Sequence, residues 1–399
     1  MRHEHGFREA TPLATALERF LEAVTPVSRT ETVPIAEARG RTLAADVVAE
    51  RDVPHYDRAA MDGWALRAAD THGASARSPR SLSVVDGAVG AGEAARVHTG
   101  SAMPPGSDAV VMVEDATRVG ERIEVTDPVA GGRHVGPAGE DVEAGSVALE
   151  AGHALTPSAL ALCRSLEVEA VEVYDRPEVA IIPTGEELVL ADPAPGEVVE
   201  TNGLMVAQYV ASWGGRVRYR DVVTDDPAAL REAIRADLDA DLVVTTGGSS
   251  VGARDHLPEV LGDLGEVLVH GVAIQPGHPV GLGRAEDTPV ALLPGYPVSC
   301  AINAVTFVRP AVRRAGRFRE LPDPTVEATL TRKVASRVGQ RTFARVRLRD
   351  ADGEVRAEPV MTSGAGILSS LAATDAVVEV PEAVEGYDAG ERVEAVIWE

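Results

Sequence analysis

Residues 241–261 read DLVVTTGGSSVGARDHLPEVL. An apolar, β-branched run ends in Gly247, Gly248, Ser249 and Ser250, and a carboxylate follows at Asp255. Bare amides and hydroxyls at the end of a buried strand, beside a helix start, make a cradle for an anion. Similar chemistry recurs along the chain. IIPTGEELV closes a strand run with Thr184, Gly185, Glu186 and Glu187, and VTDDP carries Asp225 and Asp226. VAIQPGHPVGLG holds Gln275, Pro276, Gly277 and His278, and LLPGYPVSC holds Pro294, Gly295, Pro297 and Ser299. Glu187, Asp225 and Asp255 would repel a phosphate directly. They make sense around a divalent cation, because hard cations take carboxylates and phosphate oxygens together. Singly, each stretch also has a purely structural reading. Asp-Gly and Pro-Gly are turn formers, Asp226 before Pro227 is a good N-cap, and His98 and His278 suit packed or solvated roles. Together the strand-end groups predict a metal-assisted phosphate or oxyanion site.

A second set lies earlier in the chain. AAMDGWALRAAD contains Asp62, HTGSAMPPGSDAVVMVED contains Thr99, and GPAGEDVEAG contains Glu140 and Asp141. No G-x-x-x-x-G-K-[ST] is present and no G-x-G-x-x-G follows a strand, so neither a P-loop nor a dinucleotide fingerprint is indicated. Nucleophile-elbow and His-Glu-x-x-His patterns are absent too.

These groups need elements to place them. From about residue 178 to 312 strand and helix patterns alternate, which predicts an α/β fold with a mostly parallel, doubly wound sheet. Ligands bind such sheets at the carboxyl ends of the strands. NGLMVAQYVASWGG reads as a helix with Asn202 as its N-cap. TDDPAALREAIRADL starts a helix at Pro227 and spaces Leu230, Ile234 and Leu238 along one face. Residues 50–146 carry short β runs between Gly and Pro turns, flanked by helical PLATALERFLEAV and LTPSALALCRSL, so this β-rich piece reads as an insertion. The tail after about residue 320 is β-patterned, with a turn near Asp352-Gly353.

Composition narrows the partners. The chain has 399 residues, more than one core accommodates, and a formal charge of −24. Lys333 is the sole lysine. Such a surface repels nucleic acid and anionic membrane. No apolar run reaches the roughly 18 residues that span a bilayer, and MRHEHGFREA lacks the apolar core of a secretion signal, so a cytoplasmic location is expected. Cys163 and Cys300 form no metal-type spacing and are expected to be reduced and packed.

Taken in order, PHYDRAAMDGWALR, HTGSAMPPGSDAVVMVED, GEDVEAG, PTGEEL, TTGGSSVGARD, QPGHPVGLG, LPGYPVSC and GAGILSSLAATDAVVEVP closely resemble the molybdopterin molybdotransferase family, which includes the C-terminal enzymatic domain of gephyrin. The likeness runs nearly end to end. It implies insertion of molybdenum from molybdate into adenylylated molybdopterin, with Mg²⁺ as cofactor and release of AMP. It also implies a multidomain α/β plus β architecture. A helical linker domain would take residues 27–49 and 146–176, and the inserted β-rich domain residues 50–145. A molybdopterin-binding α/β domain would take residues 1–26 and 177–318, and a C-terminal β-barrel residues 319–399. The resemblance further implies a homodimer, in which Asp62, Thr99 and Asp141 of one subunit meet Glu187, Asp225 and Asp255 of the other. On the same ground Asp225 and Asp255 would carry Mg²⁺. Thr184, Gly185, Gly247, Gly248, Ser249, Ser250, Gln275, Pro276, Gly277, His278, Pro294, Gly295, Pro297, Ser299 and Arg341 would bind substrate, with Arg345 adding charge from the barrel. Departures fall in the anion-binding part. Gln275 and His278 stand where members often carry lysines, and Ala365 stands where a serine is common. Arg254 and His270 are the candidate substitutes. The alternatives are a molybdopterin adenylyltransferase, which the α/β part alone resembles, a tungsten-handling paralogue, and a non-catalytic scaffold of the same fold.

An acid-rich, lysine-poor surface suits a salty interior, where short-range screening relieves self-repulsion. Raising KCl from about 0.1 M to about 2 M should therefore raise the melting temperature by ~5 °C or more. A thermal scan with no salt response would sink this expectation.

Overall fold

The computed structural model describes residues 10–247, 256–351, 353–361 and 366–398. They divide into two compact units, residues 32–39 with 43–172 and the remainder.

The larger unit is built on a six-stranded sheet. Its order runs Arg216–Tyr219, Glu178–Pro183, Leu242–Thr246, Thr288–Leu293, Gly281–Ala285, Gly265–His270. The first four strands are mutually parallel and the last two antiparallel. The strand sequences explain the layering. Along EVAIIP and LVVTT, Val179, Ile181, Leu242 and Val244 join one apolar cluster, while Ala180, Ile182 and Val243 join another. Side chains alternate with a period of two, so a strand apolar at every position has both faces covered. Helix Asn202–Ser212 supplies Val206 and Val210 to the first face, as does Leu13–Glu22 with Leu13, Ala16 and Phe20. Helix Pro227–Arg235 supplies Leu230 and Ile234 to the second, as does Leu257–Leu264 with Leu257, Val260 and Leu261. Asp226 caps its helix as expected, accepting from the amides of Ala228 at 3.0 Å and Ala229 at 2.9 Å.

The tail closes into a five-stranded barrel. Thr325–Leu330, Arg341–Ala351, Glu354–Met361, Ala376–Val380 and Arg392–Ile397 pair in a ring, because Arg341–Ala351 bonds to both Glu354–Met361 and Ala376–Val380. A short helix, Leu368–Ala372, interrupts the β pattern. The barrel is joined to the α/β part by a parallel pairing of Ile274–Gln275 with Arg341 and Thr342.

The smaller unit carries a six-stranded sheet in the order Ala109–Met112, Gly63–Leu66, Glu93–Val97, Arg80–Val85, Arg122–Val125, Ala116–Val119. Two short ribbons and helix Pro157–Ser165 complete it, the helix capped by Thr156 through the amide of Ala159 at 3.2 Å.

Opposite the strand-end edge, the larger unit is pinned by charge. Asp237 is 1% exposed and accepts from Arg218 at 3.0 Å and from Nε of Arg220 at 2.8 Å. Removing one partner of a buried pair strands the others. Asp237→Ala should lower the unfolding free energy by about 2 kcal/mol, discounted for the partly exposed arginines. Denaturant titration at neutral pH checks this, and an unchanged midpoint would refute it.

Candidate functional site

Three parallel strands end side by side, and each is followed at once by a turn from the sequence motifs. Glu178–Pro183 runs into Thr184 and Gly185, Leu242–Thr246 into Gly247, and Thr288–Leu293 into Pro294 and Gly295. Gly247 has φ +136°, and a Cβ there would lie 2.0 Å from the carbonyl oxygen of Thr184. The two strand ends therefore meet backbone to backbone, which only glycine permits. Gly248, Ser249, Ser250, Arg254 and Asp255 lie outside the described residues.

These ends line a cavity of about 490 Å³ with Glu187, Leu188, Val198, Val199, Glu200, Asn202 and Tyr296. Its polar groups are under-satisfied. Thr184 Oγ1, Thr246 Oγ1 and Asn202 Oδ1 are buried without a hydrogen-bond partner among the described residues. Each such atom costs about 1–3 kcal/mol unless something else binds it. Asn202 corrects the sequence reading. It is the first helical residue rather than the cap, and its side chain donates to the Gly295 carbonyl at 2.7 Å. Glu200, also unforeseen, accepts from the Gly203 amide at 2.6 Å and from the Tyr219 hydroxyl, which burial and Glu200 hold protonated far above its usual range. The signal for both was the VVETN run entering the helix.

Asp225 belongs to the same edge. Thr184 bridges to Val223, and the Gly185 amide donates to the Val223 carbonyl at 3.1 Å. Burial first, then the charges of Glu187 and Glu186, push the Asp225 carboxyl above the ordinary aspartate range. One of its oxygens, Oδ1, is buried without a protein partner among the described residues. A half-buried carboxylate with a spare oxygen and carboxylate neighbours fits a hard cation. Among the described residues no cluster of three His, Cys, Asp or Glu stands ready for a metal.

A second cavity, about 460 Å³, lies between the Gln275-to-Pro279 turn and the barrel. Gln275, Pro276, Gly277, His278 and Ser299 line it together, with Tyr296, Arg337, Gln340, Thr342 and Arg345. Gly277 is held by Asn303, whose side chain donates to the carbonyls of Gly277 at 2.9 Å and Ser299 at 2.8 Å. His278 Nδ1 bonds to the Val272 carbonyl at 2.6 Å. Among the described residues no lining residue is acidic, although the chain holds 62 Asp and Glu. Arg345 is 3% exposed, with its Nε unpartnered among the described residues, and burial lowers its pKa. Arg341, expected to face the ligand, instead pairs with Glu382 at 3.1 Å and Glu379 at 3.4 Å and lines neither cavity. Arg345, buried, and Arg337, exposed, carry the positive charge at this cavity.

In the smaller unit the pairing of Gly63 with Val97 brings Asp62 and Thr99 to one sheet end. Asp62 Oδ1 accepts from the Thr99 amide at 2.6 Å and hydroxyl at 2.9 Å. Those bonds lower its pKa, with help from His98 and Arg96. Asp141 is placed by its amide on the Val53 carbonyl at 3.0 Å, and no bond to Asp62 or Thr99 is present among the described residues. Glu140 pairs with Arg58 at 3.2 Å.

Residues 11–166 match the MoeA N-terminal region (domain I and II), residues 180–314 a probable molybdopterin binding domain, and residues 327–398 the MoeA C-terminal region (domain IV). Molybdopterin molybdenumtransferase 2 of Mycobacterium tuberculosis is 34% identical, over 96% of this chain and 98% of the relative. Molybdopterin molybdenumtransferase of Bacillus subtilis is 33% identical, over 92% and 90% respectively. The crystal structure of the molybdopterin biosynthesis MoeA protein from Pyrococcus horikoshii OT3 superposes with a TM-score of 0.81 at 33% identity, covering 98% of this chain and all of that one.

Asp225 sets a testable trade-off. Its folded pKa lies above the unfolded value, so ionisation penalises the folded state once the pH exceeds the folded pKa. Asp225→Asn should raise the melting temperature at pH 7 without added Mg²⁺ by ~1–2 °C, and the gain should vanish as the pH falls below the unfolded pKa near ~4. A destabilised variant at pH 7 would contradict the assignment.

Proposed function

The chain belongs to the MoeA family of molybdopterin molybdenumtransferases, and on that footing we propose that it transfers molybdenum from molybdate into adenylylated molybdopterin with release of AMP. One observation carries this reading: two cavities of contrasting chemistry share the strand-end edge. One has apolar walls and orphaned hydroxyl and amide groups, as a pterin heterocycle with phosphate needs. The other has no acid among its described lining residues and presents a buried guanidinium, as a tetrahedral dianion needs.

The first cavity takes the adenylylated pterin. Gly185 and Gly247 bring backbone close to the phosphate, and Gly248, Ser249 and Ser250, outside the described residues, are assigned to the same anion by the resemblance; Thr184 and Thr246 donate their spare hydroxyls to it, while the spare Asn202 Oδ1 accepts from an N–H of the pterin. A water oxygen bonds to the AMP phosphorus as the anhydride P–O bond to that phosphorus breaks, so AMP leaves with the new oxygen and the pterin phosphate keeps the bridging one. Glu187, exposed in the cavity lining, orients that oxygen and takes its proton. Asp225 with Asp255 would hold Mg²⁺, which when bound neutralises charge on the phosphate. The second cavity takes molybdate on Arg345, with Ser299, Thr342 and Gln275 as neutral polar partners and His278 beside them.

Asp62, Thr99 and Asp141 act from a partner subunit of a homodimer, opposite Glu187, Asp225 and Asp255. Tyr56 and Met61, exposed beside Asp62 at 38% and 41%, support an interface there. The pair Asp62–Thr99 keeps one carboxylate ionised for contact with the substrate's polar edge. We place the reaction in the cytoplasm, with the acidic surface adapted to high salt. No helix of the described residues is long and apolar enough to cross a membrane. A bare adenylyltransferase would leave the regions at residues 11–166 and 327–398 without a role.

The test is direct. The purified chain, given adenylylated molybdopterin, molybdate and Mg²⁺ across a range of KCl, should release AMP detectable by chromatography. Arg345→Gln should slow release by about 100-fold, the scale of losing one preorganised donor to a developing or bound oxyanion. No release by the wild-type chain at any salt would overturn the reading.

A further inference from the structure

Tyr296 lines both cavities, and no other described residue does. Its ring is 65% exposed, unusual for so large an aromatic group within a lined pocket. The backbone beneath it is fixed. Tyr296 sits extended at φ −74°, ψ 126° immediately before Pro297, which opens helix Pro297–Asn303. A residue before proline is held in that region, and the Tyr296 carbonyl accepts from the Cys300 amide at 2.8 Å. Gly366 stands against the ring, where a Cβ would come within 3.3 Å of Cδ1. The hydroxyl makes no hydrogen bond among the described residues, and the exposed side chain leaves its ring open to a ligand. The rest of the first cavity is consistent with a slot for a flat ligand, since Leu188, Val198 and Val199 add apolar surface to the same lining.

We propose that Tyr296 is a substrate-positioning residue that stacks on a flat heterocycle of the adenylylated pterin and, standing between the cavities, holds it in register with the oxyanion. This rests on the proposed assignment of the two cavities. Stacking of a flat ring on an aromatic side chain is sequence-tolerant and needs no hydroxyl. Phenylalanine should therefore serve and alanine should not. The oxyanion, held by Arg345, gains nothing from the ring.

Three full-length proteins, wild type, Tyr296→Phe and Tyr296→Ala, would be titrated with adenylylated molybdopterin, AMP and molybdate by calorimetry, and followed for AMP release. Tyr296→Phe should stay within about twofold of wild type. Tyr296→Ala should weaken adenylylated molybdopterin by about tenfold and raise KM alike, the scale of one lost stack. Molybdate affinity should move less than about twofold in both variants. Loss of AMP affinity in Tyr296→Ala would identify the stacked ring as adenine, and unchanged AMP affinity would identify it as the pterin. Wild-type affinity in Tyr296→Ala, or equal loss in Tyr296→Phe, would overturn the proposal alone. A wild-type chain that binds no adenylylated molybdopterin would instead overturn the functional reading beneath it.

Discussion

An anion approaching this chain meets a net charge of −24. Everything about the site follows from how that repulsion is locally cancelled. The larger unit does it twice, by different means. At the strand ends it uses amides and hydroxyls, whose dipoles carry no net charge and are indifferent to salt. At the barrel one cavity lining holds no carboxylate among the described residues, and one guanidinium is buried there. On the proposed reading Arg345 would act through its desolvation, because a charge screened by water over a few ångström would be swamped by surrounding acids.

Both devices are destabilising on their own. Asp225, Thr184, Thr246, Asn202 and Arg345 all hold buried atoms without a protein partner among the described residues. Contrast Asp237, at 1% exposed more deeply buried than Asp225, which is bonded to two arginines. The same fold can satisfy a buried carboxylate fully where nothing is to be bound. The shortfall at this edge is backed by fully covered strands.

Much of this was legible in the sequence because it is local. Strand ends announced by Thr-Gly, Gly-Gly and Pro-Gly depend on backbone geometry within a few residues, and the alternation of strands with helices fixed which edge they share. What was misread depended on distant chain. Asn202 looked like a cap because asparagine is a preferred capper, and only the neighbouring Gly295 carbonyl reveals its other use. Arg341 and Arg345 sit on one strand with the same parity, so alternation cannot separate them. Their fates are decided by Glu379 and Glu382, which barrel closure brings beside Arg341 alone. Tyr296 drew no notice inside a Pro-Gly turn, since an exposed tyrosine carries no periodic signature.

The two-residue strand Ile274–Gln275 hydrogen-bonds into the barrel at Arg341 and Thr342. The Gln275-to-His278 turn and the strand bearing Arg345 are therefore stitched into one sheet rather than packed as separate lobes. On the proposed reading, an ion seated there would be gauged by the spacing between turn and strand that this seam sets, with no hinge along the seam itself.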